Sequence, residues 1–597
     1  MFADIGARTI ATRLWRAGLV LGLLLAVSFV VVAPPERCPS VDAASLRGSA
    51  QAAVDWFAVN QKPDGTWLYL YDADGASISP DYDMVRHTGA AMGLYRAAYE
   101  GLPRALRSAD RGAEWALGQL LERDGWAAVE WEGKVETGAT ALLVAGLVLR
   151  RDATADKRHD SVLKKLGRFL VAQTERSGAV PAYYDPDAGA PVRGEYSPYF
   201  TGETYWALAS LHLAFPGEGW GRAAERILDY LVTQRDDAEH YWPALDDHWA
   251  AYGLSETVEF PERGHPPLTA REVAYVHRQA ELFGGQVRWF SQRFGSWGAA
   301  VRPGPVLRGG GYGVIGEGLT GLWLTARRDP RLADLQEPIA QRARCNAGLA
   351  IRAQSGRADA AGDAHPDRVA GAWFRDGETR MDDQQHALAS LLRTVPIVAA
   401  GQGGGRTGGD PPSAWLWALA LVLALNPARA MFAVPRAGCS RRDAAGLAAL
   451  GGTIGAAVVV AAAAGADPLL DALDVSDPSF RMAAAFAAVV AGAADTFRAP
   501  PAPEPALPGW KAALVPVAIP VVARPALVVL AIGAGADHGA GLTAAAMAFA
   551  VAALVGLVAA APVEGPGGRV LRWAGRLLAL GLVACGVVLG VDGVLDV

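Results

Sequence analysis

Cysteine is scarce in this chain, with four residues in 597. That number excludes a disulfide framework, and no CxxC or Cys/His spacing of a zinc site occurs. An excess of basic charge is missing as well. Lys and Arg total 55 against 61 Asp and Glu, a net charge of −6 with a pI near 6.0, so no nucleic-acid partner is expected. Alternating, strand-like hydropathy is sparse. No His, Cys and carboxylate cluster forms a metal motif, and neither a metal nor a cofactor is expected. From Ser413 onward charge itself becomes rare.

What is present divides the chain by solvent. Residues from about Ser40 to Ala399 are rich in Trp, Tyr, Asp and Glu and read as a water-soluble domain. The text after Ser413 is Ala, Val, Leu and Gly, with charges confined to short gaps. Ahead of both, Arg8, Arg13 and Arg16 precede an apolar run, Ala17–Ala33, that is short for a membrane helix and has the shape of a signal peptide too. No small-x-small cleavage site precedes Pro34-Pro35, so a retained anchor is expected. Further spans are expected near Ser413–Val434, Ala444–Gly465, Phe480–Phe497, Ala512–Ala534, Leu542–Pro562 and Leu577–Val591, about seven in all. Arg429, Arg436, Arg441 and Arg442 mark one inner side, and Arg569, Arg572 and Arg576 another. Positive charge stays in the cytoplasm, which sends the soluble domain out. The expected order is anchor (1–39), extracytoplasmic domain (40–398), Gly-rich linker (399–412) and six-span membrane domain (413–597), in the plasma membrane. Cys38 and Cys345 both fall in the outer portion, where they either pair or remain two thiols.

The soluble part reads as helix after helix, with apolar residues at helical spacing in Ala52–Val59, His87–Tyr99, Thr137–Leu149 and Thr204–Phe215. A quasi-repeat places Gln61, Gln119, Gln173 and Gln234 at helix ends 54 to 61 residues apart. That period suits a helical hairpin plus a long loop, and about six hairpins close into an α/α toroid. Gln61-Lys62-Pro63-Asp64-Gly65-Thr66-Trp67 resembles the QxxxGxW repeat of terpenoid cyclase and prenyltransferase toroids. Six-hairpin glycosidases, sugar epimerases and polysaccharide lyases use similar rings, so the resemblance implies the fold class, all-α, and leaves the chemistry open. The acidic DxDD cluster of protonating terpene cyclases is missing, because Asp246-Asp247 and Asp382-Asp383 are bare pairs.

In such a ring the starts of the inner helices converge on one face. Those starts carry Tyr82, Asp83, Arg86 and His87, then Glu136, then Tyr199, Glu203, Tyr205 and Trp206, then Glu317, and finally Asp382, Asp383, Gln384 and His386. Asp and Glu also serve simply as helix caps. Their recurrence beside His and Arg points to a site. Asp83, Glu203, Glu317, Asp382 and Asp383 form the pool of catalytic carboxylates for glycoside hydrolysis, which needs a proton donor and a second carboxylate. Tyr82, Arg86, His87, Glu136, Tyr199, Tyr205, Trp206, Gln384 and His386 are expected to bind substrate, and the Tyr and His residues keep uronate epimerisation or elimination open. Aromatic residues crowd the connecting loops and suit the flat faces of sugars. The expected partners are a carbohydrate or lipid-linked glycan and the bilayer. A binding scaffold without chemistry is the rival reading.

The C-terminal part offers a second resemblance. Asn426-Pro427-Ala428-Arg429, Pro478-Ser479-Phe480-Arg481-Met482-Ala483-Ala484 and Pro516–Ala526 resemble, in order and spacing, segments of the MarC-type integral membrane family. Glycines expected there are replaced, by Arg429, Ala483, Ala484, Arg524 and Ala526. The resemblance implies a degenerate transporter-like anchor, with solute transport as the alternative. Arg524 within a span would mark a pathway or a headgroup contact, and within a loop neither.

Overall fold

The computed structural model describes residues 2–27, 32, 34–293, 307–401, 412–435, 440–473, 475–501 and 511–595. They fall into two compact units: Cys38–Ser291 with Pro305–Gly404, and Met1–Arg37 with Gln292–Gly304 and Gly405–Asp596. Most of the expected linker, with Arg436 and Cys439, lies outside the described residues. Helix α1 (Phe2–Val27) belongs to the second unit, and its apolar stretch is Gly18–Val27.

The first unit alternates outer and inner helices. The outer ones are α2 (Ala43–Val59), α4 (Ala105–Leu117), α6 (Asp160–Gln173), α8 (Trp220–Thr233), α10 (Ala270–Arg293) and α12 (Gln336–Ala353). The inner ones are α3 (Met84–Tyr99), α5 (Thr137–Thr154), α7 (Phe200–Ala214), α9 (His248–Thr257), α11 (Gly309–Ala326) and α13 (Met381–Ala399). Each inner helix packs on the next and α13 packs on α3, so the ring closes as an α/α toroid. The two layers differ in sequence for a physical reason. An outer helix buries one stripe, as α8 does with Ala223, Ala224, Ile227, Leu228 and Leu231. An inner helix is covered on nearly every side and needs small residues where neighbours approach. A Cβ on Gly316 would lie 1.8 Å from Ser390 Oγ, and one on Gly318 would lie 2.4 Å from Phe283.

The Gln and Trp of the repeat lock each hairpin to its loop. Gln61 Nε2 donates to the carbonyls of Gly65 (3.0 Å) and Ser108 (2.9 Å). Trp67 is fully buried on Gly112, and Gly65 turns with a positive φ of 102°. Gln354 and Trp373 repeat the bridge at the other end of the chain's circuit. Strand Leu70–Asp72 pairs antiparallel with Glu378–Arg380, Tyr71 opposite Thr379, tying the first hairpin to the last. A disulfide between Cys38 and Cys345 ties the segment ahead of α2 to α12.

Among the described residues of the second unit, five helices are long and apolar enough to cross a membrane. They are α14 (Ala414–Leu425) with its continuation to Ala433, α15 (Arg441–Ala464), α16 (Asp477–Phe497), α17 (Pro525–Ala560) and α18 (Gly565–Leu595). The expected span Ala512–Ala534 is not one helix. Val515 and Ile519, each followed by proline, leave helical geometry at φ −136°, because proline's ring disfavours the helical conformation in the residue before it. The helix begins at Pro525 and runs on through the span expected at Leu542, broken only at Gly539 (φ 72°). Helix α14 likewise stops at Asn426, left-handed before Pro427. Three arginines of this unit have carboxylate partners. Arg481 grips Asp537 (2.9 Å) with both side chains at most 2% exposed, and Trp417 Nε1 donates to the same carboxylate at 2.8 Å. Asp495 takes Arg429 (3.2 Å) and Arg524 (2.7 Å) together.

Candidate active site

The inner helices of the toroid all run from the same face, so their first turns surround one cavity of about 570 Å³. Asp83 and Arg86 reach it from α3, Glu136 from the start of α5, Tyr199 and Glu203 from α7, and Asp382, Asp383 and His386 from α13. Capping and site-building coincide at several of these. Asp83 accepts from the Arg86 amide at 2.8 Å, and Asp383 accepts from the Gly310 and Arg380 amides at 2.9 and 3.1 Å. Arg86 crosses to Asp382 at 3.2 Å.

Other expected residues lie behind the wall. His87 is fully buried. Its Nε2 faces the Gly112 carbonyl (2.9 Å), which can only accept, so Nδ1 accepts from the Tyr82 hydroxyl at 2.7 Å. Both side chains brace the loop around Trp67, whose amide donates to Tyr82. Burial holds His87 down at about 4. Tyr205 is buried against Thr257 (2.7 Å), Trp206 is buried in a stack on Trp249, and Gln384 is spent on Thr379 at 2.6 Å.

Glu317 also lies below the cavity surface, completely buried, but it touches the site through His386. His386 Nδ1 donates to Glu317 Oε2 at 2.6 Å, while the Tyr252 hydroxyl donates to Oε1 at 2.9 Å. Across from His386 stands His248, at the first turn of α9, with ring centroids 5.3 Å apart. The pair was not legible in the sequence as a pair, since Asp246-Asp247-His248-Trp249 reads as an aromatic loop. The missed signal is Asp247, which caps α9 through the Ala250 amide at 2.9 Å and is held by Arg235. Asp246, Trp249, Gln286, Arg308 and Arg380 complete the wall.

Electrostatics drives the two imidazoles apart. Burial, with His386 adding repulsion, pushes His248 well below an ordinary histidine. Burial also works against charging His386, but the Glu317 carboxylate overrides it and raises that ring. The shifts have opposite signs, favouring the neutral form at His248 and the protonated form at His386. The carboxyls are lifted too. Glu203 stands well above its usual range through burial and the nearby Asp247, Asp83 and Glu136, and its Oε2 has no hydrogen-bond partner among the described residues. Asp383 rises to about 6 through burial beside Asp382, and Asp246 rises through burial.

His248, Glu317 and His386 present ligand atoms within 4.8 Å of one another, a donor set that suits a divalent metal. The 2.6 Å contact between His386 and Glu317 is nevertheless a hydrogen bond. Two ligands of one zinc stand about 3.3 Å apart, so a metal there would have to spread the pair.

No known protein family matches the sequence, and no curated protein does. Among solved structures, a cellobiose 2-epimerase from Spirochaeta thermophila DSM 6192 is 12% identical at a TM-score of 0.41, covering 64% of this chain and 98% of the other. A GH76 α-mannanase from Bacteroides thetaiotaomicron is 10% identical at 0.40, covering 59% and 95%. A type II terpene cyclase from Scytonema is 15% identical at 0.35, covering 60% and 99%. With identities this low, the reaction has to be read from the cavity's own groups.

Proposed function

We propose that the toroid is an enzyme that moves a proton at the carbon beside a carbonyl of a sugar, as in epimerisation or isomerisation. One observation carries this reading: His248 and His386 stand together at the cavity, ring centroids 5.3 Å apart, with His386 bonded to the buried Glu317 carboxylate, which raises it, while burial lowers His248. His248 takes the carbon-bound proton, and His386, charged through Glu317, donates toward the carbonyl oxygen as negative charge develops there. The enol oxygen then hands its proton back to His386, which delivers it to the opposite face of the same carbon and inverts it, while His248 releases the abstracted proton to solvent. Arg86 and Arg308 at the wall and the carboxyls Asp83 and Asp382 offer donors and acceptors for hydroxyls. Trp249 lines the same wall, packed against His248 and His386.

Full-length protein incubated with reducing sugars in D₂O should place deuterium at the carbon beside the carbonyl, read by proton NMR. The His386→Gln variant should lose that exchange. A wild-type protein that exchanges no carbon-bound proton in any reducing sugar or uronate would end the proposal.

Glycoside hydrolysis is the second reading, favoured by Glu203. A buried, raised carboxyl with a free oxygen is suited to donate a proton to a leaving group, with Asp246 or Asp383 as the second carboxylate. Release of new reducing ends, abolished by Glu203→Gln but not by His248→Gln, would select it. Membrane tethering and an extracytoplasmic ring agree with the five apolar helices, with the basic gaps between spans and with the disulfide, which persists in oxidising compartments.

A further inference from the structure

A second cavity, of about 550 Å³, opens at the other end of the ring, where α3, α9, α11 and α13 finish. Its lining is built differently from the mouth. Arg96 and Arg393 contribute to it, and both side chains are more than nine-tenths buried. Arg393 has no carboxylate within ion-pair distance among the described residues, and Arg96 has only Glu100 at 3.8 Å. The Nε and one terminal nitrogen of Arg96, and one terminal nitrogen of Arg393, have no acceptor among the described residues. Arg393 makes one long bond to Thr320 (3.4 Å) and lies over the Tyr252 ring at 4.0 Å.

Helix C-termini attract cations, and that explains Arg327 and Arg328 at the rim, the latter paired to Glu259 at 2.5 Å. It does not explain two guanidiniums withdrawn from water with nitrogens left unpaired. A buried charge without a partner is costly, and such donors point to an acceptor that arrives from outside. Burial even depresses Arg393 below its usual range. Glu256 enters the same cavity and partly opposes the positive field.

We propose that this end of the toroid binds a phosphate-type oxyanion, free or as part of a larger molecule, between Arg96 and Arg393. The forked donors of arginine match the oxygens of such a group, and each charge-assisted contact is strong once out of water. The site is independent of the reaction proposed for the mouth.

The test is equilibrium dialysis of full-length protein in detergent against labelled inorganic phosphate, with sulfate as competitor. Saturable binding is expected. Arg393→Met and Arg96→Met should each weaken it by roughly tenfold or more, while Arg308→Ala, at the mouth, leaves it unchanged. Glu256→Gln removes a competing charge and should tighten binding several-fold, a gain that misfolding cannot mimic. Absence of saturable phosphate binding to wild type overturns the proposal, as does an Arg393→Met protein that binds like wild type. Failure of Glu256→Gln to tighten binding, or loss in Arg308→Ala, overturns it as well.

Discussion

The two units solve the same problem, a charge out of water, in opposite ways. In the membrane-type unit each buried arginine is matched: Arg481 to Asp537, and Arg429 and Arg524 to the single carboxylate of Asp495. In the toroid, Glu203 and Asp383 sit close to other acids and rise. Burial and the repulsion of His386 push His248 down although Glu317 Oε2 lies 3.9 Å away, and His386, which hydrogen-bonds that carboxylate, is raised. Pairing lets a segment exist in an apolar surrounding. Leaving groups unmatched creates proton donors and acceptors near physiological pH.

Four experiments break or sharpen that contrast. The largest effect should be on turnover. His248→Gln and His386→Gln are expected to lower it by roughly 10² to 10⁴-fold, with thermal midpoints close to wild type. A matching fall in midpoint would mean the pair is structural. Next, Asp537→Ala should destabilise the membrane-type unit by up to about 3–5 kcal/mol, measured by unfolding in mixed micelles, since it removes the nearer carboxylate of Arg481, leaving Asp592 at 3.5 Å, and the acceptor of Trp417 Nε1. The double change Arg481→Met with Asp537→Leu should recover most of the loss.

The third effect is pH-dependent. His87 titrates at about 4 when folded but near 6.5 when unfolded. Below about 6.5 the unfolded chain therefore binds more protons, and stability falls as pH falls, by about 3 kcal/mol in all once pH is under about 4. Asp383, raised to about 6, has the opposite sign, gaining stability as pH falls through that value. The informative quantity is thus the difference between wild type and His87→Gln in melts from pH 7.5 to 4.5. Equal slopes would remove His87 from the account. Smallest is Gly112→Ala, whose Cβ would lie 2.0 Å from the Trp67 ring. It should cost roughly 1–3 kcal/mol by overpacking, and a neutral result would show that the Trp67 lock yields easily.

Much of the toroid was legible because outer and inner helices have different hydrophobic patterns and because Gln61, Gly65 and Trp67 make a local device with a physical purpose. The convergence of Asp83, Glu136, Glu203 and Asp382 followed from ring geometry alone. His248 escaped because α9 is only ten residues long and its cap, Asp247, sits among aromatics that look like a loop. Tyr82, His87 and Tyr205 illustrate the converse: adjacency to a helix start does not say which way a ring points, and their partners, Gly112 and Thr257, lie 25 to 52 residues away. The Cys38–Cys345 link was open in the sequence because 307 residues separate its ends. In the other unit the prolines after Val515 and Ile519 were visible, but apolar composition outweighed them in placing a span.

Tyr252 has its ring against Arg393 on one side and its hydroxyl on Glu317 on the other. With Trp206, Trp249 and Glu317, all nearly or wholly hidden from solvent, it plugs the annulus at mid-height. A closed floor makes the mouth a dead end rather than a tunnel. Whatever goes in must back out by the same doorway.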